Sequence, residues 1–374
     1  MSFWRWAEYG PPLPDTARLT LGEGNTPVIR SRRIGPAAGL RNLYFKLEFT
    51  NPTGSYKDRF ACAAVSHMLA ADQTRCLATS SGNTGASLAA YCALAGIDCL
   101  IAVVETAPEG KLQQMLAFGA KLVRIRGFGL DPAVTAEVMA TVQRLGQQPG
   151  AAMQISAYHF SPLGMSGVQS ISYELAEQFP EGIDQVFCPA GGGGMTLAVA
   201  RGFAELQRRQ RIPSSPRVEC VQPVGNDTIA SALRHGQARA VTVTCTSQIS
   251  GLQVPTVIDG DAVIAACRAT GGTGHTVPDE ATWAMQQRLA REEGIFCEPA
   301  AALPVAAVIQ AAEAGSIAAD ATIVALIGGS AFKDPPSLQR MLAHRSCPLR
   351  SAAEFAEIAS FRPSSSPEFP ASRL

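Results

Sequence analysis

The sequence predicts an α/β protein with mostly parallel, twisted sheets flanked by helices. Three observations carry this prediction: short apolar runs of strand length, helical apolar periodicity between many of them, and Gly- and Ser-rich loops that follow strands and open helices. In chain order the strands read as NLYFKLE (42–48), RCLATSS (75–81), DCLIAVV (98–104), AKLVRIR (120–126), DQVFCPA (184–190), RVECVQP (217–223) and TIVALIG (322–328). Helical patterns include a run opening at Lys57, GASLAAYCALAG (85–96) and GKLQQMLAFGA (110–120). Right-handed crossovers gather the loops after parallel strands along one sheet edge, where ligands bind. Beyond about Arg345 the chain turns Ser- and Pro-rich, so residues 346–374 read as a tail whose last dozen residues are disordered.

Composition narrows the function classes. The chain has 374 residues, 47% hydrophobic and 17% charged, with a formal net charge of +0. That is enough for one large domain or two moderate ones. The even charge balance gives no electrostatic case for nucleic acid or an anionic membrane surface. No apolar run is long enough to span a bilayer. The N-terminal MSFWRWAEYGPPLPD lacks a basic stretch followed by an apolar one, which makes a cytoplasmic protein the expectation. None of the ten cysteines forms a CxxC pair or lies near histidines at zinc-ligand spacing. Most sit in apolar segments and read as reduced, buried small hydrophobes, and no metal is expected.

Three loops carry candidate chemistry: SSGNTGAS (80–87), GGGG (191–194) and GGSAFKD (328–334). Each joins a strand to a helix, a setting in which free backbone amides meet a helix N-terminus and make an anion site. The run Gly191, Gly192, Gly193 and Gly194 is the phosphate candidate, because backbone without side chains approaches an anion closely. It lacks the Lys-Ser/Thr ending of a P-loop and the spacing of a dinucleotide fingerprint. A tight turn packing a helix on a sheet explains the glycines equally well. Ser80, Ser81, Gly82, Asn83 and Thr84 read either as N-capping residues or as a pocket for a small carboxylate.

Lys57 follows a Pro-Thr-Gly-Ser approach and stands at the start of a helix, where a cation is disfavoured. Partial burial there favours the neutral amine, the form an imine-forming lysine needs.

In this order NPTGSYKDR, SSGNTGAS, GGGG and the late GGS resemble the fold-type II pyridoxal-phosphate enzymes. That family includes threonine synthase, threonine and serine dehydratases, and cysteine synthase. The likeness runs over roughly residues 20 to 336, and LGEGNTPVI (21–29), GLQVPTVIDGD (251–261) and LAREEGIFCEPAAA (289–302) are most similar to the threonine synthase branch. The resemblance implies two open sheets, with pyridoxal 5'-phosphate in the cleft between domains. The large, cofactor-binding domain would comprise residues 1–60 and 160–345, and a small mobile domain residues 61–159. It implies that Lys57 forms the internal aldimine and shuttles the substrate's α-proton, and that Asn83 bonds the ring hydroxyl. Ser80 to Thr84 would bind the substrate carboxylate, Gly191 to Gly194 the phosphate, and Ser330 the pyridine nitrogen. A hydroxyl at that nitrogen suits elimination and replacement on a small amino acid. The assembly implied is a homodimer.

Two stretches depart from threonine synthases. The segment that usually supplies an arginine for the substrate phosphate is YHFSPLGMSGVQSISYEL (158–175), with Gly164 at the arginine's position, and the four-glycine loop is more dehydratase-like. The expectation is therefore a poor response to O-phosphohomoserine and better turnover of a small amino acid with a modest β- or γ-leaving group. Competing readings are a true threonine synthase, a serine/threonine dehydratase, a non-catalytic anion- or partner-binding relative, and a nucleotide-binding protein. His159 is a candidate substrate contact, Lys111 reads as a surface lysine, Lys333 and Asp334 shape a turn, and Glu298 has no assigned chemistry.

Overall fold

The computed structural model describes residues 2–343 and 345–360. The last dozen residues, read from sequence as disordered, lie outside the described residues. Within the tail a helix forms at Ala352–Ser360.

Two sheets organise the chain. The larger contains β1 (Val28–Arg30), β2 (Asn42–Lys46), β7 (Gln185–Pro189), β8 (Arg217–Pro223), β9 (Gly274–Val277) and β10 (Thr322–Leu326), in spatial order β1-β2-β10-β7-β8-β9. Only β1 runs antiparallel to its neighbour; the other pairs are parallel. The smaller is wholly parallel, with β3 (Arg75–Thr79), β4 (Asp98–Val103), β5 (Lys121–Arg124) and β6 (Ala151–Met153) in order β5-β4-β3-β6. Seven strands match the sequence reading. The three it leaves out have local reasons. β1 and β6 are three residues long, and β6 reads AAM, of low strand propensity. β9 begins at Gly274, where a side chain would collide with the Ala230 carbonyl.

A continuous apolar cluster ties the sheets together. It runs from Cys76, Ile101 and Leu88 of the small sheet layer, through Phe60, Val65 and Met68 of helix Lys57–Ala70, to Val186, Leu197 and Phe203 on the large sheet. A second cluster fills the other face of the large sheet around Phe45, Phe187 and the helix Pro299–Glu313.

Beneath the start of helix Lys57–Ala70 lies a fully buried charge network. Arg59 donates to Glu48 (Nε–Oε2 2.8 Å) and to Glu174 (Nη1–Oε1 2.7 Å), and Lys46 Nζ donates to Glu174 Oε2 at 2.7 Å. All four side chains are 0% exposed, two cations balancing two anions. Burial works against the Glu174 carboxylate, yet Arg59 and Lys46 hold it well below the usual carboxylate range. One residue earlier, Asp58 accepts from the Thr53 amide at 2.7 Å and from Thr53 Oγ1 at 2.6 Å, which closes the Pro-Thr-Gly-Ser approach. Asp58 and Arg59 are thus locked on either side, and the residue between them and the turn is Lys57.

Candidate active site

The carboxyl ends of parallel strands from both sheets meet at one cavity of about 300 Å³, the size range of small-molecule sites. Its walls come from Tyr56 and Lys57, the loop Ser80–Thr84 after β3, Ile155–Ala157 beyond β6, Gly191–Gly194 after β7, and Gly328 after β10. The sequence-predicted Lys57, Ser80, Ser81, Gly82, Asn83, Thr84 and the four glycines are therefore brought together.

Lys57 is the first residue of its helix, and its Nζ donates to Ser156 Oγ at 2.6 Å. Ser156 Oγ in turn shares a hydrogen bond with Thr84 Oγ1 at 3.0 Å. The ammonium also lies 4.6 Å from the centre of the Tyr56 ring. Ser156 is absent from the sequence reading because it follows the unrecognised β6. Its place on the loop edge would have been visible had that strand been found.

The glycine corner opens the helix Gly194–Arg208. Among the described residues the N–H groups of Gly191 to Gly194 have no acceptor. Gly193 adopts φ +92°, and a Cβ there would lie 2.5 Å from Val263 Cγ2 and 3.0 Å from Ile229 Cδ1. A glycine is required on both counts. On the opposite wall Ser80 Oγ accepts from the N–H groups of Gly82 (3.2 Å) and Gly85 (2.9 Å), the capping role. Asn83 Nδ2 reaches across to Glu298 Oε1 at 2.9 Å.

Glu298 and Lys111 are the residues the sequence undervalued. Glu298, given no chemistry, lines the cavity, and burial pushes its carboxyl up to about 7, with Asp334 adding to the rise against Lys111, Lys333 and the Asn83 bond. Lys111 is no surface lysine: its side chain is 10% exposed, lines the cavity, pairs with Asp334 at 3.1 Å and donates to Ser250 Oγ. Lys333 also lines the cavity and donates to Gln114 Oε1 on the helix Glu109–Ala117. Short apolar periodicity placed both lysines beside helix ends, where sequence alone cannot tell an inward side chain from an outward one.

Two candidates stand apart from the cavity. Ser330 is not in its lining; the hydroxyl accepts from the Phe332 N–H at 3.4 Å and caps the turn Ala331–Lys333. His159 is exposed on a separate groove with Arg201 and Asp259, its N–H donating to Asp259 Oδ1 at 3.0 Å. Gly164 is buried, and a Cβ there would lie 2.6 Å from Phe60 Cε2 and 2.9 Å from Ala64 Cβ. An arginine has no room at that position in this packing.

Comparison with known proteins decides the family. Residues 19–329 match the family model described as pyridoxal-phosphate dependent enzyme. The chain belongs to this family. Among relatives of the pyridoxal-phosphate dependent family, the threonine synthase of Methanosarcina acetivorans is 32% identical over 90% of this chain and 81% of that protein. The threonine synthase of Mycobacterium tuberculosis is 31% identical, covering 88% of each. Among solved structures, maize serine racemase superposes with a TM-score of 0.73 at 24% identity, over 92% of this chain and 97% of that one. A processed threonine deaminase from Solanum lycopersicum gives 0.70 at 22% identity, over 85% and 82%. These likenesses establish the shared fold.

The cavity fits the family's cofactor. A row of unpartnered amides at a helix N-terminus, with a glycine at 193 that no side chain could replace, suits a phosphate dianion. A primary amine stands in the same cavity, as a covalently held aldehyde requires.

Proposed function

We propose that this pyridoxal-phosphate enzyme eliminates or replaces a leaving group on the β- or γ-carbon of a small amino acid, in the manner of threonine synthases and dehydratases, with Lys57 as its catalytic lysine. The observation that carries the reading is the chain Lys57 Nζ–Ser156 Oγ–Thr84 Oγ1, which joins the amine to the loop facing it. When bound, the cofactor supplies an electron sink for negative charge developing at the substrate's Cα. Lys57 Nζ accepts and returns the Cα proton, while Ser156 and Thr84 hold it in line. The Gly191–Gly194 amides hold the cofactor phosphate, and Asn83 Nδ2 meets the ring hydroxyl. The Ser81, Asn83 and Thr84 amides, which have no acceptor among the described residues, take the substrate carboxylate. Ser330 serves the ring nitrogen by turning its hydroxyl from the Phe332 amide.

Residues 61–159 form the mobile lobe over residues 1–60 and 160–345, and closure excludes water from the reaction. The Lys111–Asp334 pair and the Lys333–Gln114 hydrogen bond are the latches that support this division. We assign the enzyme to the cytoplasm as a homodimer. Its ten free thiols suit a reducing compartment, and light scattering at twice 39.2 kDa tests the assembly.

One observation favours a second reading, the formation of threonine from O-phosphohomoserine. Lys111 offers a buried cation for a phosphorylated side chain, a charge-assisted contact of about 1.5–3 kcal/mol. The deciding experiment is a screen of serine, threonine, their O-acyl and O-phospho forms and O-phosphohomoserine, assayed for keto acid, ammonia, phosphate and threonine. Turnover of the small β-substituted amino acids supports the first reading, and efficient threonine production the second. Failure with all of them contradicts both.

A further inference from the structure

The small sheet holds a cluster of ligating side chains that the active site does not use. Cys76 and Cys99 are register partners on β3 and β4, so both side chains project from one face of the sheet. Cys92 comes from the helix Asn83–Ala95, and the three Sγ atoms all lie within 4.8 Å of one another. Cys76 and Cys92 are 0% exposed and Cys99 6%. Among the described residues this is the one group of three or more side chains placed to share a metal ion.

The arrangement goes beyond apolar packing. The register of β3 on β4 and the helix above them bring all three sulfurs to face one another. Thiolates bound at about 2.3 Å to a shared trigonal ion stand about 4 Å apart, inside the 4.8 Å limit that the three sulfurs already meet. Among the described residues no carboxylate or imidazole joins the group. Four-coordinate structural zinc needs another ligand, and hard cations need oxygen, whereas an all-sulfur, three-ligand set suits a soft ion. The cluster lies close to the protein surface. Each strand cysteine is one residue inside the sheet rim, next to exposed Arg75 and half-buried Asp98, and Ala93, Leu94 and Gly96 are exposed where the helix ends. Cys76 precedes Ser80 by four residues, about 13 Å along the strand direction, so the cluster lies away from the catalytic cavity.

We infer that Cys76, Cys92 and Cys99 form a trithiolate site for one soft monovalent cation of the copper(I) class. Each ligating thiol exchanges its proton for a bond to the metal, so affinity rises with pH. The test uses the full-length, cofactor-loaded protein, reduced and kept anaerobic, titrated into copper(I) held by the chromophoric chelator bathocuproine disulfonate. Transfer of one copper(I) per chain is expected, weakening as pH falls. Cys76→Ala, Cys92→Ala and Cys99→Ala should each lower the affinity at least a hundredfold, while Cys188→Ala and Cys347→Ala leave it unchanged. X-ray absorption of the copper-loaded wild-type protein needs no variant and should show three sulfur ligands and no lighter atom. No transfer from the chelator, transfer that survives in the triple variant, or a shell containing nitrogen or oxygen would each overturn the assignment.

Discussion

At Gly191–Gly194, on the cavity wall, the backbone amides have no acceptor among the described residues, whereas across the cleft, at Ser80–Thr84, the Ser80 hydroxyl already takes the amides of Gly82 and Gly85. Both corners join a parallel strand to a helix, and in sequence both are candidates for an anion site. The difference lies in whether the loop carries its own acceptor. A corner of glycines has none, so its amides stay free for a ligand. A corner with a leading serine caps itself in part, and its other side chains turn outward: Asn83 to Glu298 and Thr84 to Ser156. The glycine corner is suited to a fixed, dianionic group, and the serine corner to a carboxylate that comes and goes.

The largest effect should come from removing the amine that both corners face. Lys57→Ala is expected to lower turnover by about 10²- to 10⁴-fold or more, the range for loss of a positioned acid–base group, in a steady-state assay on the best substrate of the screen. Next comes Gly193→Ala. Its φ of +92° and the 2.5 Å approach of Val263 Cγ2 predict a stability loss of about 2–4 kcal/mol with at least tenfold weaker cofactor retention. Gly192→Ala, whose nearest neighbour is 3.5 Å away, should be mild, and equal losses at the two positions would break the comparison.

Glu298 gives a pH test. Its carboxyl, held at about 7 against an ordinary 4.5, keeps its proton in the folded protein where the unfolded chain has lost it. Stability of the cofactor-free protein should therefore fall as pH rises from about 4.5 through about 7, by up to about 3 kcal/mol. Glu298→Gln should flatten that slope in urea unfolding at pH 5 and pH 8. Smallest is Ser80→Ala, which frees two amides and should cost about 1 kcal/mol. A cost near zero would mean that the serine corner, like the glycine one, is satisfied from outside the chain.

Much of this was legible before any coordinates. The strands of the βα units and all three loops could be read because apolar runs ended in Gly, Ser or Asn at the points where helices began. Lys57 was legible because a Pro-Thr-Gly-Ser approach delivers it to a helix start, and the structure ties its neighbours Asp58 and Arg59 into the core while Lys57 lines the cavity. What escaped has a common physical cause. Ser156, Glu298, Lys111 and Ser250 reach the cavity through long-range packing, on segments whose local pattern is that of any loop or helix end. Three cysteines scattered over residues 76 to 99 likewise became a cluster only through the register of β3 on β4 and the helix above it. Ser330 shows the opposite relation between motif and contact. The motif located the right strand end, but the hydroxyl caps its own turn.

The most direct test of the central claim, that Lys57 holds the cofactor opposite the glycine corner, is borohydride reduction of the cofactor-loaded protein followed by peptide mapping. Three cavity lysines compete for the label, Lys57, Lys111 and Lys333. The expected result is a yellow protein that bleaches on reduction and carries one phosphopyridoxyl group on the peptide containing Lys57. A label on Lys111 or Lys333, or a protein that takes up no pyridoxal phosphate, would contradict it.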